Sequence, residues 1–483
     1  MKKKINIIIL ILLFFVIIFA LGAKDIKSGR LSSYGKYVPN DIKLFLKKTI
    51  FLVPTLQKTL KNKDEVIRNL LVEKVKTLET WNSISTSDIK KISLKKISNK
   101  KINIENESYI LSKFLLPLPD YYLWKQKSVG YIDNLKNSIF LVSGDGVVFY
   151  FNYDQILKVL NSKNDKILLS KLKTNIHELV SDDLFKPHKI SIKDILIKNN
   201  TIYISHINKK KDNCHNIEII SSEINFEFIN FKDFFTYNEC FTNGELHSTG
   251  GRIVDYSKNE ILFSIGEGQN RKLAQDVNSI FGKIIKINIL TQEHKIISMG
   301  HRNPQGLNYD IKNNIIISTE HGPDGGDEIN MIKNSDKISN YGWPISSYGN
   351  HYQGKINKYK NAGKLNELLE EAPLHKSHSK YSFEEPIKYF TPSIGISEVI
   401  KLPKNFKTNL KDHYIVGAMG KNIEEGDKSL HYFKLNKDND KIESISKVLI
   451  GERIRDLKFI EKNNLLMLVL ENTPSIGLLY LEN

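Results

Sequence analysis

Apolar positions along this chain fall into three regimes. From Ile5 to Ala23 they run almost unbroken behind Lys2, Lys3 and Lys4, interrupted only by Asn6. A basic flank followed by such a run predicts an export signal or a membrane anchor. Between Leu44 and Leu78 apolar residues recur at three- and four-residue spacing (Leu56, Leu60, Val66, Leu70, Val75, Leu78) with Lys and Glu between them. That periodicity predicts an amphipathic helical stalk, interrupted at Pro54. Farther on the pattern changes to short β-rich runs such as Ile139-Phe-Leu-Val142, Ile261-Leu-Phe263 and Leu465-Leu-Met-Leu-Val-Leu470, which predict strands.

The strands repeat. Five 18-residue windows, 129–146, 191–208, 251–268, 305–322 and 455–472, each read as an apolar strand, a Lys-Asn pair and a second apolar strand. The pairs stand at 136–137, 198–199, 258–259, 312–313 and 462–463, and a looser sixth copy fits 396–420. Hairpins recurring at this spacing, with further strands between them, predict the blades of a β-propeller rather than a sandwich or a parallel sheet. The expected architecture is therefore all-β: a six-bladed β-propeller over residues 126–483, preceded by a signal or anchor segment (1–23) and a basic, mostly helical stalk and connector (24–125). Within that connector the Lys-rich stretch Lys90–Lys101 reads as solvated chain. The gap between 322 and 396 reads as an insertion carrying Asn340-Tyr-Gly-Trp-Pro344, and Ile476–Leu481 is expected to close the ring against the first blade.

Charge sharpens this division. The formal net charge is +17, but residues 1–125 hold 24 Lys and Arg against 10 Asp and Glu, leaving 47 against 44 for the rest. A near-neutral body without a basic stripe argues against a nucleic-acid partner. The basic N-terminal third suits the anionic surface of a membrane. Export to the periplasmic face follows, either anchored to the inner membrane by residues 5–23 or released by cleavage near Gly22. Only Cys214 and Cys240 are present; in an exported chain a disulfide and two buried thiols are both open readings, and no spacing resembles a zinc site.

Hairpins turning at the Lys-Asn pairs gather the residues before each first strand and after each second strand on one face. Before them stand His188, His247, Arg302 with Asn303, and Arg453; after them stand Gly322-Pro323 and Lys421. Arg455, two residues beyond Arg453, points the same way if the strand is regular. Several fixed cations converging on one axis imply an anionic guest, because crowded guanidinium groups otherwise repel.

Three blocks carry a resemblance: Gly300-His-Arg-Asn-Pro-Gln-Gly306, Glu320-His-Gly-Pro-Asp-Gly-Gly-Asp-Glu-Ile-Asn330 and Asn340-Tyr-Gly-Trp-Pro344. Together with Leu246-His-Ser-Thr-Gly-Gly-Arg252 they resemble the glucose/sorbosone dehydrogenase family, quinoproteins on a six-bladed propeller. The resemblance runs from about residue 246 to the C-terminus and is faint before 240. It implies pyrroloquinoline quinone (PQQ) and Ca²⁺ as cofactors, a small-molecule sugar as substrate, an external electron acceptor, and oxidation of an aldose to a lactone. By position, His247 resembles the general base, and Arg302 looks like both a catalytic residue and a cofactor contact. His188, Asn303, Lys421, Arg453 and Arg455 look like further PQQ contacts, and the carbonyls of Gly322 and Pro323 look like calcium ligands. The chain departs from the family pattern in several places. One extra residue separates His247 from the Gly-Arg pair, His188 stands where relatives carry a glutamine, Lys421 matches only if Gly420 is an insertion, and the acidic ligand of a second calcium is replaced near His351. Two other classes fit the same pattern: a degenerate, membrane-tethered propeller serving as a binding module, and a calcium-dependent lactone hydrolase, which would need acidic or amide side chains around a channel metal.

Overall fold

The computed structural model describes residues 73, 76–119, 129–161, 165–180, 192–211, 214–241, 247–333, 337–421 and 425–482. The chain divides into two units, residues 1–75 and 76–483, and the account below is of the second. The run 5–23 and the predicted stalk as far as Val75 lie outside the described residues, Glu73 excepted. Among the described residues no helix is long and apolar enough to cross a membrane.

The fold is all-β, with few and short helices. Each predicted hairpin forms, and its first strand leads a sheet that is antiparallel except for one parallel outer pair, Ser298 with Ser339 and Met299 with Asn340. These leading strands are β1 (Gly130–Leu135), β2 (Ile192–Lys198), β3 (Gly250–Ser257), β4 (Pro304–Asp310), β5 (Ile396–Lys401) and β6 (Ile454–Ile460). Behind β2, β4 and β5 three further strands follow in order, and behind β3 four. The leading strands neighbour one another in a cycle, β1 to β2 and onward to β6, which returns to β1. Apolar residues facing between adjacent sheets build the core; one cluster joins Phe140, Ile204, Ile217, Phe263 and Ile285 across three of them.

Two expectations change. The Lys-rich stretch is no connector: Lys91–Ile104 and Glu107–Leu115 are strands. Leu94, Ile102 and Ile104 are buried while Lys91, Lys95, Lys100 and Lys101 are exposed and Lys96 is half-buried, as a strand with one wet face requires. Its first half pairs with Lys166–Lys171 behind β1, and its second half pairs with Glu107–Leu115. The closing strand, Ser475–Leu481, accordingly pairs with Glu107–Leu115 rather than with the hairpin led by β1. The sheets led by β6 and β1 thus become one nine-stranded sheet. N-terminal strands entered the ring because alternating Lys and Ile carry no helical periodicity, and the lysines disguised the alternation. Ahead of them residues 76–86 are helical, burying Trp81 and Ile84. Cys214 and Cys240 are joined in a disulfide.

Candidate active site

Leading strands are irregular where the site forms. Five of the six carry one extra residue relative to their partner strand: the pairing slips between Ile192 and Asp194 on β2, Gly250 and Ile253 on β3, Pro304 and Gly306 on β4, Ile396 and Val399 on β5, and Ile454 and Asp456 on β6. A bulge re-aims a side chain that a flat strand would commit to one face. Here Lys193, Gln305 and Arg455 occupy equivalent bulge positions on β2, β4 and β6, and all three line one large cavity of about 1130 Å³.

Immediately along the strands lies a buried ion cluster. The Arg252 guanidinium donates through one nitrogen to Asp194 (2.9 Å) and Asp456 (2.7 Å) and lies 2.6 Å from Glu398. Its other nitrogens donate to the carbonyls of Gln305 (2.7 Å) and Arg455 (3.0 Å). Burial and mutual repulsion raise Asp194 to about 7 and Glu398 to about 8, against the pull of Arg252. The three carboxylates are close enough to hold a metal ion, but a guanidinium already bridges them. This cluster ties β2, β3, β5 and β6 together beneath the cavity.

The predicted residues gather in that cavity. His247, Arg302, Asn303, Gly322, Pro323, Lys421, Arg453 and Arg455 all line it; His188 lies outside the described residues. His247 is exposed and is followed by Ser248 at φ 57° and by Gly250 and Gly251 at positive φ, so the extra residue before the Gly-Arg pair is absorbed in a left-handed turn. Arg302 donates to the carbonyl of His321 (2.8 Å), and its guanidinium lies 5.4 Å from the Trp343 ring centroid. Its backbone N–H donates to Glu320, a buried carboxylate that also takes His301 at 3.2 Å. Asn303 Oδ1 accepts from the N–H of Gly250 (3.1 Å) and from Gln305 (2.9 Å). The turn after the fourth hairpin is pinned by Asp327, which accepts from the N–H groups of Gly322, Ile394 and Ile396. At Gly322 an added Cβ would meet the Gly326 carbonyl oxygen at 2.1 Å.

Arg453 and Arg455 are not a bare pair awaiting a guest. Both donate to Glu471, which is fully buried; burial works to raise its pKa, and the two guanidinium groups hold it below the usual carboxylate value. Glu471 is thus one carboxylate shared by two guanidinium groups. Lys421 differs: its side chain is 76% exposed at the rim and pairs with Glu425 at 3.1 Å.

Three residues of the site escaped the sequence reading. Lys193 is buried, and its pKa falls to about 7 through burial and the proximity of Arg455. His321 lines the cavity with Nε2 2.6 Å from the Ile396 carbonyl. Glu267 stands behind Arg302 rather than on the cavity wall: it is buried, its N–H donates to the Arg302 carbonyl, and one carboxylate oxygen has no hydrogen-bond partner among the described residues. Burial lifts Glu267 to about 7 against Arg302, Arg271 and Lys355. The signal that would have found Lys193 is the turn length: β2 ends at Lys198 and its partner starts at Thr201, while β6 ends at Ile460 and its partner starts at Leu465. A fixed offset from the Lys-Asn pair therefore aligned Arg455 with Ser191 rather than with Lys193.

A profile of the family described as Glucose / Sorbosone dehydrogenase matches residues 189–476. An aldose sugar dehydrogenase of Escherichia coli (strain K12) is 29% identical over 225 residues, covering 43% of this chain and 53% of that protein. This chain spans about half the length of the curated relatives it matches. Among solved structures, a glucose dehydrogenase aligns with a TM-score of 0.57 at 19% identity, over 74% of this chain and 97% of the other. The PQQ-bound form of an aldose sugar dehydrogenase from Streptomyces coelicolor aligns with a TM-score of 0.51 at 16% identity, over 81% and 99%. At these identities the structural likeness speaks for the fold alone.

Proposed function

Because this chain belongs to the glucose/sorbosone dehydrogenase family, we propose that it is a PQQ-dependent aldose dehydrogenase on a six-bladed propeller, oxidising a sugar at its anomeric carbon to a lactone. The observation that carries the reading is the cavity lined by residues of the leading strands and the loops beside them, with Arg302, Arg453 and Arg455 on its wall and the buried carboxylate of Glu471 shared by the last two. A small polycarboxylate fits that donor set: planar guanidinium forks match carboxylates. Thr249 adds a buried hydroxyl on the cavity wall with no hydrogen-bond partner among the described residues.

Arg302, Asn303, Arg453 and Arg455 would hold PQQ, with Lys421 at the rim, and the carbonyls of Gly322 and Pro323 would hold Ca²⁺, a hard cation suited to oxygen donors. When bound, the quinone supplies the hydride acceptor and the metal polarises it. His247 stands at the exposed side of the cavity, where an entering sugar meets it, and takes the proton of the anomeric hydroxyl as general base. Arg302, fixed by His321 and stacked on Trp343, orients the sugar oxygen. The lactonase alternative loses ground because the acidic cluster among the leading strands is occupied by Arg252. Export to the periplasm, with residues 5–23 as signal or anchor, completes the proposal.

Reconstitution with PQQ and Ca²⁺ before a panel of aldoses tests it. Calcium-dependent dye reduction is expected, and His247→Ala should lower it by about 10²–10⁴-fold while PQQ binding, followed by absorbance, survives. Full activity in His247→Ala would remove that residue from the role of base; an absence of PQQ binding by the wild type would sink the dehydrogenase reading.

A further inference from the structure

One cation of the cavity has no assigned task. Lys193 is the bulge residue of β2, the structural counterpart of Arg455 on β6 and Gln305 on β4. Its neighbour Asp194 turns toward Arg252, so the bulge separates a residue committed to the ion cluster from one delivered to the cavity. The stem of Lys193 lies against Gly251: a Cβ there would stand 2.4 Å from Lys193 Cβ, and Gly251 has φ +121°. Glycine at 251 leaves the room through which this side chain passes.

Lys193 is 8% exposed, lines the cavity, and makes no hydrogen bond or ion pair among the described residues. The charge that acts on it most is Arg455, of the same sign. An amine buried without a partner costs stability, and this one opens onto the space where Arg302, Arg453 and Arg455 also converge. Nothing about the fold requires a cation here, since the bulge and the glycine would accommodate an apolar stem equally well.

We propose that Lys193 is a further ligand-binding residue of this cavity, its ammonium group taking a carboxylate of the polycarboxylate guest on the opposite side of β1 from Arg455. The inference rests on the polycarboxylate reading above and adds a residue to it. The guest supplies a charge partner that none of the described residues gives Lys193, so part of the cost of burying the amine is recovered on binding. The depressed pKa of the free amine accords with this arrangement: the site is poised to take up a proton and a carboxylate together.

Titration of the full-length wild type and Lys193→Met, with Ca²⁺ present, tests the assignment using two probes: PQQ followed by absorbance, and redox-inert benzene-1,3,5-tricarboxylate followed by calorimetry. Lys193→Met is expected to bind both about 10- to 100-fold more weakly, with Lys193→Arg recovering part of the loss. Its melting temperature without ligand should equal or exceed that of the wild type, because a buried unpaired amine is gone. A residue that merely braces the fold would give the reverse, a lower melting temperature with affinity retained, and that result would overturn the proposal. If the wild type binds both probes and Lys193→Met binds them equally well, the Lys193 assignment fails alone; if the wild type binds neither, the polycarboxylate reading fails with it.

Discussion

Two charged regions lie one residue apart along the same strands and are built on opposite principles. In the cluster around Arg252, one guanidinium meets three carboxylates, and its remaining donors are capped by backbone carbonyls. In the cavity next to it, cations outnumber the carboxylates that touch them: Glu471 serves both Arg453 and Arg455, and Lys193 has no partner among the described residues. The first region is complete without a ligand. On the proposed reading the second is completed by one, and that asymmetry would separate structural from functional charge even though both are buried.

Breaking the closed region should have the largest effect. Arg252→Met removes the counter-charge of three buried carboxylates at once, and breaking even one buried pair costs about 3–5 kcal/mol. Set against a net stability of about 5–15 kcal/mol for an ordinary domain, the variant is expected to be unfolded or molten at neutral pH, by near-ultraviolet circular dichroism and thermal melts. A cooperative melt near the wild-type temperature would show that the cluster is not what ties the strands together.

This contrast also explains what the sequence could disclose. Hairpins with a Lys-Asn pair were legible because strand periodicity and turn residues are local, and five repeated copies reinforce one another. His247, Arg302, Asn303, Arg453 and Arg455 were legible through position in the repeat and through motif wording, and all of them reach the cavity. Glu471 was not, because it is the first turn residue after the apolar strand Leu465–Leu470, and only the fold of that turn places it beside Arg453 and Arg455. Lys193 was not, because a bulge and a shortened turn each shift the alignment. The strands at 91–115 were missed for a different reason, since their charge argued for solvent, while Lys91–Ile104 pairs partly with Lys166–Lys171 and Glu107–Leu115 pairs with Ser475–Leu481 at the other end of the chain. Pairing across more than 350 residues of chain leaves no local trace.

A smaller effect is expected at Glu471, where the two regions' rules meet. Glu471→Gln keeps the shape and part of the hydrogen bonding but removes the carboxylate charge that Arg453 and Arg455 share, for a cost of about 2–3 kcal/mol at pH 7. Its pH dependence has a definite sign. Burial raises the carboxyl's pKa but Arg455 and Arg453 outweigh it, so the folded-state value lies below the unfolded value of about 4.3. Stability from this group is fully present above that pH and disappears as pH falls through the lower, folded value. Melting temperatures of wild type and Glu471→Gln should therefore differ most near pH 7 and draw together below about pH 4. A gap that widens in acid would mean that the carboxylate is not held ionised by the arginines.

The smallest effect belongs to Lys421, which tests whether a cation must be buried to count as part of the site. Its side chain is 76% exposed and already paired with Glu425 four residues on, so solvent and salt screen its field. Lys421→Ala should leave the melting temperature unchanged and weaken PQQ binding by no more than about threefold at low salt, with the difference gone at about 0.5 M salt, where the screening length falls to a few ångströms. If the loss is instead tenfold or more and persists in salt, Lys421 must leave Glu425 and close over the guest. The boundary between closed and open charge would then run through the rim as well as the wall of the cavity, and the exposed pair would be the part of the site that moves.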